Sequence, residues 1–296
     1  MRSRLPELGL ISVVVVWAST FVVTKQVFDE IAPLAFAFIR FLGITLLAFI
    51  VLAIAVSRGT AQWHVWRHDL PRFAIVGVCG YTLYQLGFVL GLERTSPFSS
   101  ALLISTMPLF TIAFLRAMGE HPPLRAWLGV AVALVGTALF EGDKLAEGGG
   151  SLIGDLLSLG SAISFAAYGV LNRPLVKRYP TATYTAYTVL AGAIPLLAVS
   201  APAAVQQNWF AISPPSWLAV AYMVVLPVYV AYMVWNWAIA RRGAAAASSF
   251  GLLVPVVSGI LSALTYGESF GLFKLGGAAL IMAGLVALQS NRSSGS

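Results

Sequence analysis

Apolar residues run along this chain in continuous blocks, with polar residues gathered in the short gaps between them. That is not the two-residue alternation of a half-buried strand. The blocks cover roughly 7–25, 33–56, 71–92, 98–117 and 123–140. After Gly148-Gly149-Gly150-Ser151 they resume at 152–172, 181–203, 216–240, 244–266 and 271–289. At about 1.5 Å of rise per residue, each block is long enough to cross a ~30 Å hydrocarbon layer. The pattern predicts an all-α membrane protein of ten transmembrane helices. A transmembrane barrel would alternate lipid-facing and lumen-facing positions instead.

The blocks fall into two similar sets of five. Arg94 to Arg241 and Pro108 to Pro255 are both shifts of 147 residues, and Glu120 to Glu268, Gly129 to Gly277 and Gly136 to Gly284 are shifts of 148. Five matches on nearly one offset point to duplication. Because five is odd, the second copy must enter the membrane from the opposite side. The expected organisation is a first five-helix unit over 1–147, an inverted second unit over 148–290, and a disordered tail over 291–296. Inverted repeats recur in secondary transporters, where substrate sits between the halves and rocking alternates the access.

Composition agrees with lipid as the solvent. Of 296 residues, 59% are hydrophobic and 10% charged, against about 25% charged in a soluble domain; mean hydropathy is +0.86. The net charge of +7 does not imply nucleic acid, because the basic residues lie in loops between apolar blocks. With the N-terminus inside, the cytoplasmic segments hold Arg2, Arg4, Arg58, Arg67, Arg72, Arg116, Arg125, Arg173, Lys177, Arg178, Arg241, Arg242 and Arg292. The external segments hold only Lys25, Arg94, Lys144 and Lys274. This bias predicts that both termini are cytoplasmic. The first block follows a basic start but has no small-residue cleavage site, so it reads as a retained helix.

Polar and aromatic residues inside the blocks are the candidates for function. Tyr81, Tyr84, Gln85 and Phe88 are spaced to share one helix face, and Tyr229, Tyr232, Met233 and Asn236 repeat the spacing. Trp17, Thr20, Tyr168, Tyr184 and Tyr187 add to the set. Either these residues line a cavity for a partly apolar ligand, or they form interfacial belts and ordinary packing. Arg40 lies about 10 Å into its helix. It either binds a substrate carboxylate or snorkels outward to loop carbonyls. Pro108, Pro195, Pro227 and Pro255 are expected as breaks within helices, serving either as flexing points or as static kinks. Gly87 and Gly91 form a small-xxx-small pair, for packing inside the chain or for dimerisation.

Several chemistries lack their residues. Glu7, Glu120, Asp155 and Glu268 all sit near block ends, so no carboxylate stands at mid-depth to couple a proton or sodium ion. His64, His68 and His121 lie in loops, and the single cysteine, Cys79, allows no intrachain disulfide. No His or aspartate pair sits within the spans to serve an intramembrane hydrolase. We expect no enzyme, no metal and no cofactor.

The stretches Trp17-Ala18-Ser19-Thr20-Phe21, Arg40-Phe41-Leu42 and Tyr232-Met233-Val234-Trp235-Asn236-Trp237 resemble the EamA domain pattern, as do Pro255 followed by Gly267-Glu268 and the glycine-rich last block. The chain thus resembles the drug/metabolite transporter superfamily, and within it the bacterial YddG-type aromatic amino acid exporters. The resemblance implies that helices 1–4 and 6–9 surround a central cavity while helices 5 and 10 lie at the periphery. It also implies a bacterial inner-membrane exporter, most simply monomeric, with neutral or aromatic amino acids as substrates. A drug or other metabolite exporter is the alternative within the class. A receptor or scaffold without transport is the alternative outside it.

Overall fold

The structure, a computed structural model, describes residues 5–94, 100, 103–140, 152–251, 253–266 and 272–290. The Gly148–Ser151 break, the Gly267-Glu268 pair and the 291–296 tail lie outside the described residues. Among the described residues the regular structure is helical: α1 (Leu5–Val27), α2 (Pro33–Ser57), α3 (Arg67–Arg94), α4 (Met107–Ala117), α5 (Leu124–Phe140), α6 (Leu152–Arg178), α7 (Thr181–Gln206), α8 (Pro214–Arg242), α9 (Ala244–Phe250), α10 (Leu253–Tyr266) and α11 (Leu272–Ser290). By length and composition α2, α3, α6, α7 and α8 can each cross a membrane, and the other predicted spans correspond to shorter apolar stretches. Leucine, isoleucine and valine cover much of the outside, including Leu46, Ile50, Leu128, Val135 and Leu218. In water such a surface would aggregate; in lipid it needs no cover.

Small residues decide which helices touch, because lipid offers no hydrophobic drive for helices to associate and close backbone approach must supply the attraction. A Cβ on Gly91 would stand 2.6 Å from Ser158 Oγ, and one on Gly87 would stand 2.7 Å from Leu157 O. The Gly87/Gly91 pair therefore packs α3 onto α6, inside the chain. In the same way a Cβ on Gly77 would stand 2.6 Å from Thr188 O on α7. α5 and α11 cross at Gly136 and Gly284, where a Cβ on Gly136 would lie 2.7 Å from Leu280 Cβ and 2.8 Å from Gly277 O. We expect Gly136→Val to wedge these two helices apart and cost about 1–3 kcal/mol, the usual range for overpacking. Thermal unfolding in detergent reads the loss, while flux per folded molecule stays at the wild-type level because α5 lines no part of the cavity described below.

The ends of the helices are tied by polar contacts. Arg242 meets Glu7 at 2.6 Å, Arg178 meets Asp69 at 2.7 Å, and Arg173 pairs with Glu120. At the opposite end, the turn after α1 holds the segment before α8. Ser213 donates to Glu30 through both its amide and its hydroxyl, each at 2.7 Å, and Gln207 Nε2 donates to Glu30 O at 3.0 Å. The Ser213 amide and hydroxyl hold the exposed Glu30 carboxyl below its ordinary value of 4.5. A group with a lowered folded pKa adds stability above its unfolded pKa and loses it as pH falls through the folded one. Accordingly, acidification from pH 6 to pH 3 should lower the melting temperature of the wild type more than that of Glu30→Gln. Parallel curves for the two proteins would show that the clamp adds nothing.

The proline expectations need correction. Pro108 is not mid-helix: α4 begins at Met107 after a turn at Ser105-Thr106, so Pro108 sits in the first helical turn, where a missing N–H costs little. Pro255 likewise lies in the first turn of α10, after α9 ends at Phe250. Pro195 breaks nothing, since α7 continues from Thr181 to Gln206 around it. Of the four, Pro227 alone falls where the α-helical pattern changes inside a helix, in the π-helical segment Val224–Val230.

Candidate functional site

Both π-helical segments face the centre of the molecule, and each releases a backbone carbonyl. In α3 the segment Val78–Leu83 makes Tyr84 N–H reach five residues back to Cys79 O, so Gly80 O is left for another donor. Tyr232 OH takes it at 3.2 Å. In α8, Ala231 N–H reaches back to Leu226 O, and Trp17 Nε1 donates to the vacated Pro227 O at 2.8 Å. Gly80 and Pro227 are separated by the same 147-residue shift seen in the sequence. Single π turns of this kind concentrate at functional sites.

A cavity lies beside them. Seven of the expected site residues line it: Trp17, Thr20, Arg40, Tyr84, Gln85, Phe88 and Tyr232. Its apolar, aromatic-rich wall with a few polar groups suits a small organic ligand. Trp17 lies edge-on to Phe165 at 5.5 Å, Tyr84 lies against Phe165 at 4.8 Å, and Phe21 is edge-on to Phe88 at 5.6 Å.

Arg40 is the one basic residue of the wall. Only 1% of it is exposed, its Nη2 donates to Gln85 Oε1, and its Nε has no partner. The guanidinium lies over the Phe36 ring at 4.8 Å and over Phe41 at 5.6 Å. Instead of snorkelling outward, it stays buried. Among the described residues no acidic side chain lines the cavity.

One helical turn further along three helices, the expected residues do something else. Tyr81, Tyr168 and Asn236 do not line the cavity but form a buried layer beneath it. Tyr168 OH donates to Asn236 Oδ1 at 2.6 Å, Tyr81 OH meets Tyr168 OH at 3.3 Å, and Asn172 Nδ2 reaches Asn236 Oδ1 at 3.4 Å. The layer separates the cavity from the helix ends that carry Arg173 and Arg242. Tyr81 leaves the face of Tyr84, Gln85 and Phe88 because the π-helical segment adds a residue to the turn between them. Tyr187 is elsewhere: it packs edge-on to Phe49 at 5.7 Å and donates to Trp63 O at 2.8 Å. Tyr229 packs with Ala48, Leu52 and Ala186, also away from the cavity.

The wall also contains residues that the sequence reading did not single out, among them Phe165, Ile104, Met107, Gly251 and Val254. The signal was present. Ile104 and Gly251, Met107 and Val254, and Gln85 and Tyr232 are three pairs at the shift of 147, and all six residues line the cavity.

The sequence pattern of the EamA-like transporter family matches the chain twice, over residues 4–141 and 152–289. YyaM of Bacillus subtilis (strain 168), named an uncharacterized transporter, is 29% identical over 272 residues, spanning 90% of this chain and 88% of its own length. A Streptantibioticus cattleyicolor protein named "Probable terminal-alkyne amino-acid exporter" is 28% identical over 284 residues, covering 94% of this chain and 91% of itself. A Salmonella typhimurium (strain LT2) protein named "Probable amino-acid metabolite efflux pump" is 27% identical over 285 residues, with 92% and 91% covered. A solved structure titled "Crystal structure of protein" shares the fold, with a TM-score of 0.76 at 20% identity and 98% of each chain covered. With both halves matched and its helices apolar on the outside, the chain belongs to the EamA-like transporter family of multi-pass membrane transporters.

Proposed function

We propose that the protein exports small metabolites across the bacterial inner membrane, with aromatic and other neutral amino acids as substrates. The observation that carries this reading is the central cavity, rich in aromatic side chains and holding a buried arginine with no carboxylate opposite it among the described residues. Aromatic faces take an apolar side chain, and the guanidinium takes a carboxylate. Two relatives are named as exporters of amino acids or their metabolites, which supports the substrate class and agrees with the YddG-type resemblance.

The two matched halves form inverted five-helix units, 1–147 and 148–290, that rock about the cavity between them, with both termini cytoplasmic. The buried layer at Tyr81, Tyr168 and Asn236 then closes the cytoplasmic route while the cavity faces outward. With no carboxylate among the described residues of the wall to couple an ion, movement runs down the substrate gradient. The paired π turns place the flexing points, since their interdonated carbonyls can exchange partners as the halves move.

Proteoliposomes loaded with labelled phenylalanine or tryptophan test the reading. Efflux above protein-free vesicles is expected, and no efflux across a panel of neutral amino acids would sink it. Tyr84→Ala, which opens the wall between Phe88 and Phe165, is expected to lower phenylalanine flux about tenfold at unchanged membrane expression, the size of effect set by losing ~1.4 kcal/mol of ring contact. Flux equal to wild type would place the substrate elsewhere.

A further inference from the structure

Arg40 also bears on which end of the ligand is recognised, an inference that rests on the export reading above. Most polar groups of the cavity wall are already used inside the protein. Trp17 Nε1 donates to Pro227 O, Tyr232 OH to Gly80 O, and Thr20 Oγ1 to Trp17 O at 2.7 Å. Gln85 Oε1 is taken by Arg40. What remains is the neutral Tyr84 hydroxyl and the guanidinium itself. The guanidinium is always protonated, offers five donors in a planar fork, and only one of its hydrogen bonds is made within the chain.

A buried charge without a counterion is costly, and a ligand that supplies one relieves the cost. Among the described residues the wall has no Asp or Glu to receive an ammonium. The carbonyls nearest the wall that the π-helical segments free, Gly80 O and Pro227 O, are occupied. Aromatic faces attract a cation, yet they share the cavity with a fixed positive charge that repels it. An α-ammonium therefore finds no charged partner among the described residues of the wall, while a carboxylate finds a strong one.

We propose that Arg40 makes the carboxylate the recognised head group, so that aromatic monocarboxylates lacking an amino group bind at least as well as the zwitterionic amino acids, and the corresponding amines are excluded. The site thus selects for net negative charge beside an apolar body. A zwitterion is accepted because its carboxylate can face Arg40 while its ammonium points to the open mouth.

The test is competition in proteoliposomes of the full chain, by counterflow of labelled phenylalanine at pH 7.5. The competitors are unlabelled phenylalanine, 3-phenylpropionate and phenylalanine amide, which share one ring and differ in charge. We expect 3-phenylpropionate to inhibit at concentrations equal to or below those of phenylalanine, and phenylalanine amide to need at least tenfold more. In Arg40→Met the order should flatten, with the acid losing most. If the wild type carries phenylalanine but the amide competes as well as the acid, the head-group assignment falls and the export reading stands. If the wild type shows no counterflow of phenylalanine or of labelled 3-phenylpropionate, both fall. The wild-type series decides the matter even if Arg40→Met fails to fold.

Discussion

Replacing Asn236 with leucine should destabilise the protein more than any other single change to the aromatic layer. Asn236 Oδ1 accepts from Tyr168 OH at 2.6 Å and lies 3.4 Å from Asn172 Nδ2, and all three residues are fully buried. Leucine has similar volume but no acceptor, so Asn172 Nδ2 loses its acceptor and Tyr168 OH keeps only the longer contact to Tyr81 OH at 3.3 Å. An orphaned buried donor costs about 1–3 kcal/mol in soluble proteins, which would give a few kcal/mol for the pair. Within membranes the measured coupling averages nearer ~0.6 kcal/mol, because the reference state also finds partners. We therefore expect a loss of about 2 kcal/mol, read as unfolding free energy in mixed micelles. Tyr168→Phe provides the contrast. It deletes a donor and leaves Asn236 Oδ1 with Asn172, so its loss should be less than half as large. Equal effects in the two variants would show that the layer is held by ring packing alone.

Trp17→Ala is expected to give the largest loss of transport. Trp17 forms part of the cavity wall, packs against Trp235 at 5.0 Å and Tyr232 at 6.1 Å, and satisfies the carbonyl released by the π turn of α8. Truncating a core tryptophan removes about 3–5 kcal/mol of packing, and even part of that from the partly buried Trp17 should lower flux by at least tenfold, measured as efflux normalised to membrane expression. Trp17→Phe separates the two roles. It keeps a ring in the wall but leaves Pro227 O without its donor, a loss near ~1 kcal/mol, and should retain an intermediate rate. Wild-type rates in both variants would remove Trp17 from the site and from the hinge together.

Seven of the fourteen side chains expected as site candidates meet around one cavity, and the reason lies in helical spacing. Tyr84, Gln85 and Phe88 share a face by position alone. Tyr81 departs from that face, and Tyr229 packs away from Tyr232, because a π turn interrupts the count in each helix. No residue-level pattern announces a π turn. Its extra residue is tolerated only because a neighbouring helix supplies a donor for the carbonyl it frees. The proline expectation failed for a related reason: Pro108 and Pro255 follow breaks between helices, and a continuous apolar run hides such breaks.

The chain by itself determined its solvent, the position of its apolar helices and the 147-residue correspondence between its halves, because lipid demands long runs of apolar side chains whose backbone bonds are internal to each helix. Tertiary structure alone decided which polar atoms remain to meet a ligand. Trp17 and Tyr232 spend their hydrogen bonds on other helices, whereas Arg40 spends one on Gln85 and keeps its Nε without a partner. That division depends on partners distant in the chain, such as Trp17 and Pro227. Sequence spacing reports neighbours one helical turn away, whereas the free valence of a buried side chain is set by whatever the fold places across from it.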